Sequence, residues 1–299
     1  MKDITLEELL EAGCHFGHQV TRQNPKARDF VFESRDNIHI IDLGMTKAGL
    51  DAGAEYIRNL AKNNGTLVVV GSKRQAQPII AEELKRAKEV LKEKAIADNI
   101  YSVTNRWIGG TLTNTQEVTK NYKKLKDFTV LLKDEFARAK YTKKELGMFD
   151  KERQKLEMYY GGIVDITTRP DALFIIDTHT ENLAVMEANR MNVKTVGMVD
   201  TNADPSVIDF PIPANDDAVG SIKLIVSHIV DAWIEGRELS ANEAEKAQKA
   251  AEVKTEKKVE EAPKVEVTAE APKKEEKPQV TKPKAVKKEK TETVEEKTA

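Results

Sequence analysis

The sequence predicts a three-layer α/β domain with a mainly parallel sheet, interrupted by a helical insertion and followed by a charged tail. Three observations carry this. Thr66–Gly71 (TLVVVG) and Ala172–Asp177 (ALFIID) are uninterrupted apolar runs, as expected of strands buried on both faces of a parallel sheet. Segments of helical periodicity alternate with such runs. From Ala241 onward the composition changes abruptly.

The elements follow in order. Ile38–Leu43 (IHIIDL) predicts a first strand, and Thr46 opens a helix with Leu50, Ala54 and Ile57 on one face. After TLVVVG, a helix from about Gln75 carries Ile80, Leu84, Ala87 and Leu91 at helical spacing. Asn99–Val103 predicts a weaker strand. After ALFIID comes a helix with Ala184, Ala188 and Met191 on one face. Thr195–Asp200 is a strand, and Phe210–Ile212 is a short one broken by Pro211 and Pro213. Asn215, Asp216 and Asp217 offer an N-cap and first-turn acids. The last helix turns Ala218, Ile222, Ile225, Ile229 and Trp233 inward.

Residues 113–160 do not fit the alternation. They hold dense charge and no strand, yet Val118, Tyr122 and Leu125 keep helical spacing, as do Phe149, Leu156 and Ile163. A long antiparallel helical hairpin is expected there, turning at Tyr141–Asp150 near Gly147. Its thin apolar seam predicts an arm that protrudes from the domain. The α/β domain is then discontinuous, residues 1–112 and 161–240.

The tail, Ala241–Ala299, has no Gly, Leu, Ile or aromatic residue, and sets 15 Lys against 14 acids with four prolines. Such a chain cannot bury enough apolar surface to offset its entropy, so disorder is expected, with 241–258 extending the last helix. Over the whole chain 48 basic residues meet 50 acidic ones, a net charge of −2. Nucleic-acid binding must therefore come from local patches. The single cysteine, Cys14, excludes an internal disulfide and fits a reducing compartment. No uncharged apolar run is long enough to span a membrane, and MKDITLEELLEAG lacks the apolar core of a secretory signal.

Ligands of an open parallel sheet sit beyond the carboxyl ends of its strands. Here those ends read Gly71-Ser72-Lys73-Arg74, Asp177-Thr178-His179 and Asp200-Thr201-Asn202-Ala203-Asp204. A nucleotide- or phosphate-ligand enzyme would pair Asp200 with His179 as acid and base, and hold phosphate on Lys73 and Arg74. The glycine-rich phosphate loops and the nucleophile elbow are missing. Turn-holding is thus the plainer role for the acids, and no catalytic residue is expected. Cys14, His15 and His18 lack a zinc-type ligand set. Asp200, Asp204 and Asp216 are the candidate hard ligands of a structural divalent metal, although no cofactor is required. Basic residues say more. Arg22, Lys26, Arg28 and Arg35 flank Phe30 and Phe32, Lys73 and Arg74 follow a strand, Arg106 precedes Trp107, and Lys120, Lys123, Lys124 and Lys126 crowd the first hairpin helix. Cations interleaved with aromatics suit phosphate backbones and unpaired bases.

Three stretches together resemble the family of bacterial small-subunit ribosomal protein two: Ala12–Gln19 (AGCHFGHQ), Asn105–Asn114 (NRWIGGTLTN) and Val199–Ala218 (VDTNADPSVIDFPIPANDDA). VGSKR at 70–74 and PDALFIID at 170–177 support them in the same order, so the resemblance covers nearly all of residues 1–237. It implies a Rossmann-like, flavodoxin-like domain bearing a coiled-coil hairpin, and a non-enzymatic role. The implied partners are small-subunit ribosomal RNA near the head–body junction and neighbouring small-subunit proteins, including the large mRNA-binding first protein of the subunit. A cytoplasmic place on the ribosome follows, with no membrane contact and no homo-oligomer. Arg22, Lys26, Arg28, Lys73, Arg74, Arg106, Lys120, Lys123 and Lys124 are the residues expected to meet RNA. The tail is longer and richer in Lys and Glu than the family implies, and nothing is carried over to it.

Overall fold

A computed structural model describes residues 3–166 and 168–260. Helix α1 (Leu6–Glu11) opens on a capping box between Thr5 and Glu8. Strands β1 (Phe16–Gln19), β2 (Val31–Arg35) and β3 (Ile38–Ile41) form a small antiparallel sheet of order β1-β3-β2. The strand expected at Ile38–Leu43 is therefore real but lies outside the parallel sheet. Asp36 and Asn37, both at positive φ (49° and 64°), close a tight hairpin that ties β3 back to β2.

The α/β part follows as α2 (Leu43–Lys62), β4 (Leu67–Val70), α3 (Ala76–Glu93) and β5 (Ile100–Val103). Helix α2 begins three residues before Thr46 because Asp42 accepts from the Gly44 N–H and caps it. Next come α4 (Thr115–Lys133), the single turn α5 (Glu135–Arg138) and α6 (Lys143–Tyr160). The chain closes with β6 (Ala172–Ile175), α7 (Asn182–Arg190), β7 (Lys194–Val199), β8 (Phe210–Pro213) and α8 (Val219–Glu260).

The five strands β4 to β8 form one all-parallel sheet of order β5-β4-β6-β7-β8. Its two faces are filled by alternate residues of each strand, as the two-residue period demands. Leu67, Val69, Ala172 and Phe174 pack with α2, α3 and α8 on one side. Val68, Val70, Leu173 and Ile175 pack with α7 and the roots of α4 and α6 on the other. Each large side chain taken wholly from water, such as Trp233, contributes about 1.5–3 kcal/mol. Pro211 and Pro213 are tolerated because β8 is an edge strand.

Helices α4 and α6 run antiparallel, as Tyr122 meets Tyr160 near the base and Phe128 stacks on Phe149 further out. The chain does not turn at Gly147, which lies within α6. It turns through α5 and the residues after it, where Thr142 and Glu145 form a capping box that restarts the helix. The expected separation of hairpin and domain is also not sharp. Val118, Leu125 and Tyr160 are buried in the second core cluster, so the root of the hairpin completes the domain. Of the tail, 241–260 continues α8, while 261–299 lies outside the described residues.

Candidate functional site

The strand order makes one place special. From β4 the chain moves to β5 at one edge, then returns past β4 to β6. The carboxyl ends of β4 and β6 thus flank the switch point where doubly wound folds hold ligands. In this chain that point is occupied by the protein's own charges. Lys73, just beyond β4, reaches over to β8: its Nζ lies 2.7 Å from Asp216 Oδ1, 2.8 Å from Asp217 Oδ1 and 3.0 Å from Asp177 Oδ2. His18, from β1, places Nδ1 3.1 Å from Asp200 Oδ1 and Nε2 3.6 Å from Asp217 Oδ2. Gly17 allows this approach, since a Cβ there would come within 2.8 Å of Thr201 Cγ2.

Four carboxylates share one lysine and one histidine, so negative charge is in excess. Burial works against the Lys73 charge, yet Asp216, Asp217 and Asp177 hold its pKa above the ordinary value. Burial, with Asp177 and Asp200 close by, pushes the Asp216 carboxyl up to about 7 against the pull of Lys73. The cation gains several anions, while each anion gains only part of a cation, so the acids outweigh burial at Lys73 but Lys73 does not offset burial at Asp216. The hydrogen bond to Asp200 raises the His18 pKa, with burial opposing it. Such a cluster repels phosphate. Asp200 pairs with His18, while His179 is exposed, so the acid–base pair expected of an enzyme does not form.

The predicted metal ligands separate in the same way. His18, Asp200 and Asp216 bring one ligand atom each within 4.8 Å of one another. Asp204 is not in this group. It accepts from Ser206 N–H at 2.9 Å and pairs with Lys26 at 2.7 Å. The cap expected at 215–217 is provided by Asn215, whose Oδ1 accepts from the Asp217 and Ala218 N–H groups, but the acids expected in the first turn of α8 lie before it, with Asp216 drawn into the cluster.

A second constellation lies at the root of the hairpin. The loop 104–114 carries Arg106 outward and Trp107 inward, the latter 4 % exposed. Gly110, at φ 94°, makes the turn that a side chain would strain. Glu187 of α7 holds this turn. Its carboxylate accepts from the N–H groups of Gly110 (2.6 Å), Leu112 (3.0 Å) and Thr113 (3.3 Å). Sequence reasoning missed Glu187. The available signal was its place between Ala184 and Ala188 on the buried face of α7, where a solvated acid does not belong.

The predicted RNA-facing cations fall into two groups. Lys26 pairs with Asp204, Lys120 with Glu117 and Lys124 with Glu152, while Lys73 sits within the ionic cluster. Arg22, Arg28, Arg74, Arg106 and Lys123 are exposed, and among the described residues no carboxylate pairs with them. Asn105 ties the loop to α6 by donating to the Met158 carbonyl at 2.8 Å, so Arg106 is presented from a fixed base.

The chain is similar to known proteins over most of its length. A relative named small ribosomal subunit protein uS2, from Coprothermobacter proteolyticus, is 43 % identical over 238 residues, covering 80 % of this chain and 84 % of the relative. The family model described as Ribosomal protein S2 matches residues 9–236, which span the small sheet, the parallel sheet, the hairpin and the first part of α8. The chain therefore belongs to the ribosomal protein S2 family, whose members are structural and not enzymes.

Proposed function

We propose that the protein is a structural constituent of the small ribosomal subunit that binds small-subunit ribosomal RNA and neighbouring subunit proteins. The family match over residues 9–236, which takes in both sheets and the hairpin, carries this reading. The cations without partners give it a mechanism. Arg22, Arg28, Arg74, Arg106 and Lys123 present charge to phosphates, whereas Lys26, Lys120 and Lys124 must first exchange a carboxylate. Lys73 holds the switch point together. The hairpin acts as a coiled-coil arm, residues 113–160, that bridges RNA elements a compact domain could not touch together. The large mRNA-binding first protein of the subunit is the expected protein neighbour, on cytoplasmic ribosomes. A structural divalent cation on His18, Asp200 and Asp216 belongs to the same reading. It is supported by the excess of carboxylates and by Asp216 Oδ2, which is buried without a hydrogen-bond partner.

The test is co-sedimentation with small subunits depleted of this protein, across a salt series. Each phosphate contact removed should lower the salt slope of binding by about one unit. Arg74→Ala and Arg106→Ala together should lower it by about two. An unchanged slope would remove these residues from the RNA surface. Replacing residues 129–148 by a short Gly-Ser linker spares Val118, Leu125 and Tyr160. It should leave cooperative unfolding intact while weakening incorporation. Metal analysis of the purified chain before and after dialysis against a chelator tests the cation; wild type and His18→Ala retaining equal metal would exclude it.

A further inference from the structure

None of the cations expected to meet RNA lies at the far end of the hairpin, yet that end carries a cationic groove of its own. Between α4 and α6, where α5 joins them, the groove occupies about 520 Å³. It is open at Gly147, where a Cβ would meet no atom within 4 Å. Lys133 of α4, Arg138 of α5 and Lys143 of α6 line it, one from each element. All three are exposed, and no carboxylate pairs with them among the described residues. The carboxylate of the lining, Asp150, is held by Arg153 at 3.0 Å. Two acids of the turn serve the backbone instead: Asp134 accepts from the Phe136 N–H at 3.0 Å, and Glu145 from the Thr142 N–H at 2.8 Å. Residues 133–145 hold five basic side chains against three acidic ones, a local excess of positive charge in a chain whose net charge is −2.

Like charges gathered at one groove repel one another, and an anionic occupant relieves that repulsion. The groove offers charge but little else to recognise. Its one side-chain hydroxyl, Thr129, already donates to the Leu125 carbonyl at 2.8 Å. Such a site suits phosphates, which position a nucleic acid without reading its sequence. Phe136, on the same single turn as Arg138, is 88 % exposed, more than any other large apolar side chain among the described residues. An exposed ring close in the chain to unpaired cations is the pairing that holds single strands: the backbone follows the charges and a base stacks on the ring. A duplex would supply the phosphates but keep its base faces covered. We propose that the tip of the hairpin seats an unpaired segment of ribosomal RNA, its phosphates in the groove along Lys133, Arg138 and Lys143 and a neighbouring base on Phe136. The inference rests on the RNA-binding reading above and names the form of RNA that the arm takes at its end.

The experiment uses the full chain and small subunits depleted of this protein. In one arm, Phe136→azidophenylalanine is incorporated into subunits and illuminated; it should crosslink to ribosomal RNA. In the other, co-sedimentation is followed across a salt series. Lys133→Ala, Arg138→Ala and Lys143→Ala combined should lower the salt slope by about two units, at roughly 0.7 per phosphate contact on a single strand. Phe136→Ala should weaken binding by about tenfold. It should leave the slope unchanged, since a stacked ring releases no counterions. Lys85→Ala, Lys88→Ala and Lys92→Ala combined remove the same charge from α3 and should leave the slope in place. Every substituted residue is exposed, so circular dichroism and urea unfolding should match wild type.

A crosslink from position 136 to a subunit protein overturns the proposal and makes the tip a protein contact. No crosslink at all in subunits that have taken up the chain overturns it too, because the tip would then stand in solvent. An unchanged slope in the triple tip variant removes the phosphates from the groove. An equal fall in the α3 variant reduces the effect to net charge and overturns the groove as well. Full binding by Phe136→Ala overturns the choice of an unpaired strand. Arg74→Ala with Arg106→Ala separates this proposal from the broader reading. A slope that falls with that pair but not with the tip variant sinks the groove and leaves RNA binding by the domain standing. Failure of the wild type to join the subunit sinks the ribosomal function instead.

Discussion

Glu187 and Asp216 are both buried carboxylates, one at the root of the hairpin and one at the switch point of the sheet, and they are stabilised in opposite ways. Glu187 accepts from three backbone N–H groups of one loop and faces no carboxylate among its hydrogen-bond partners. Asp216 sits among carboxylates, shares Lys73 with Asp177 and Asp217, and leaves one oxygen without a partner. The first arrangement fixes the shape of a loop with neutral dipoles. The second joins the ends of β4, β6 and β8 by charge, and depends on one residue. Loss of a single donor should therefore hurt the second far more than the first.

Lys73→Met should have the largest effect. It strips the cation from Asp216 and Asp177, which are 0 % and 2 % exposed. Breaking one partner of a buried ion pair costs about 3–5 kcal/mol, because the other charge stays buried alone. Urea unfolding reads the loss directly. Asp216→Asn in the Lys73→Met background should recover part of it, since that removes the stranded charge. A loss below about 1 kcal/mol would mean that water or a bound cation replaces the lysine, making this an exposed-type pair.

Glu187→Ala comes next. It leaves three backbone N–H groups without their acceptor, of which Leu112 is in a buried residue. A loss of about 2–3 kcal/mol is expected, reduced where water enters to replace the carboxylate. Glu187→Gln keeps one carbonyl acceptor and should lose about half as much. If the clamp also positions Arg106, Glu187→Gln should weaken subunit binding more than its stability change explains. Equal binding would confine Glu187 to a structural part.

Asp209 combines the two modes and gives the comparison a pH test. Oδ1 pairs with Lys194 Nζ at 2.6 Å, and Oδ2 accepts from Thr195 N–H at 3.0 Å and from its hydroxyl at 3.1 Å. Burial opposes its ionisation, but Lys194 and Thr195 together hold the carboxyl below its usual pKa. A depressed folded pKa means that this stabilisation is fully present above the unfolded value, about 3.9, and is lost as pH falls below it through the folded value. Wild type should thus lose stability through Asp209 as pH falls from 5 into acid, and Asp209→Asn should lose less over the same range. Chemical unfolding at pH 5, 4 and 3 reads the difference. Parallel curves for the two proteins would show that Asp209 gains nothing from its partners.

The sequence reveals the sheet more clearly than it reveals either carboxylate. TLVVVG and ALFIID announce themselves because apolar runs are local, and each became a strand buried on both faces. The strand at Ile38 was equally legible, but its sheet was not. The turn at Asp36-Asn37 is the signal that assigns it to a hairpin. Lys73 looked like a phosphate ligand because nothing local shows that residues 143 and 144 positions away would supply its anions. Glu187 and Arg237 are charges set on apolar helix stripes. Arg237 is 3 % exposed and donates to the Ala97 carbonyl and to Asn64. A charge in such a stripe is readable as a buried polar role, but its partner is fixed only by the fold. The hairpin's root was underestimated for a related reason. Three buried residues, Val118, Leu125 and Tyr160, suffice to join it to the core when the sheet supplies the other side.

The smallest effect separates stability from binding. Lys124 and Glu152 form the same kind of pair as Lys73 and Asp216, but both are exposed on the hairpin. Exposed pairs contribute about 0–1 kcal/mol, since water solvates each charge almost as well alone. Lys124→Ala should therefore lower stability by about 0.5 kcal/mol, and Lys123→Ala, with no pair among the described residues, by less. Binding to the subunit should reverse the order. The Lys123 charge is available to a phosphate at once, so its removal should reduce the salt slope by about one unit. Lys124 must first leave Glu152, so its removal should reduce the slope by less. Glu152→Ala supplies the converse: it frees Lys124 and should raise affinity at low salt, where the released cation acts most strongly. If Lys123→Ala and Lys124→Ala change the slope equally, the Lys124–Glu152 pair is already broken on the ribosome. If neither changes it, this face of the hairpin meets protein instead of RNA, and Arg22, Arg28, Arg74 and Arg106 on the domain are left as the phosphate contacts.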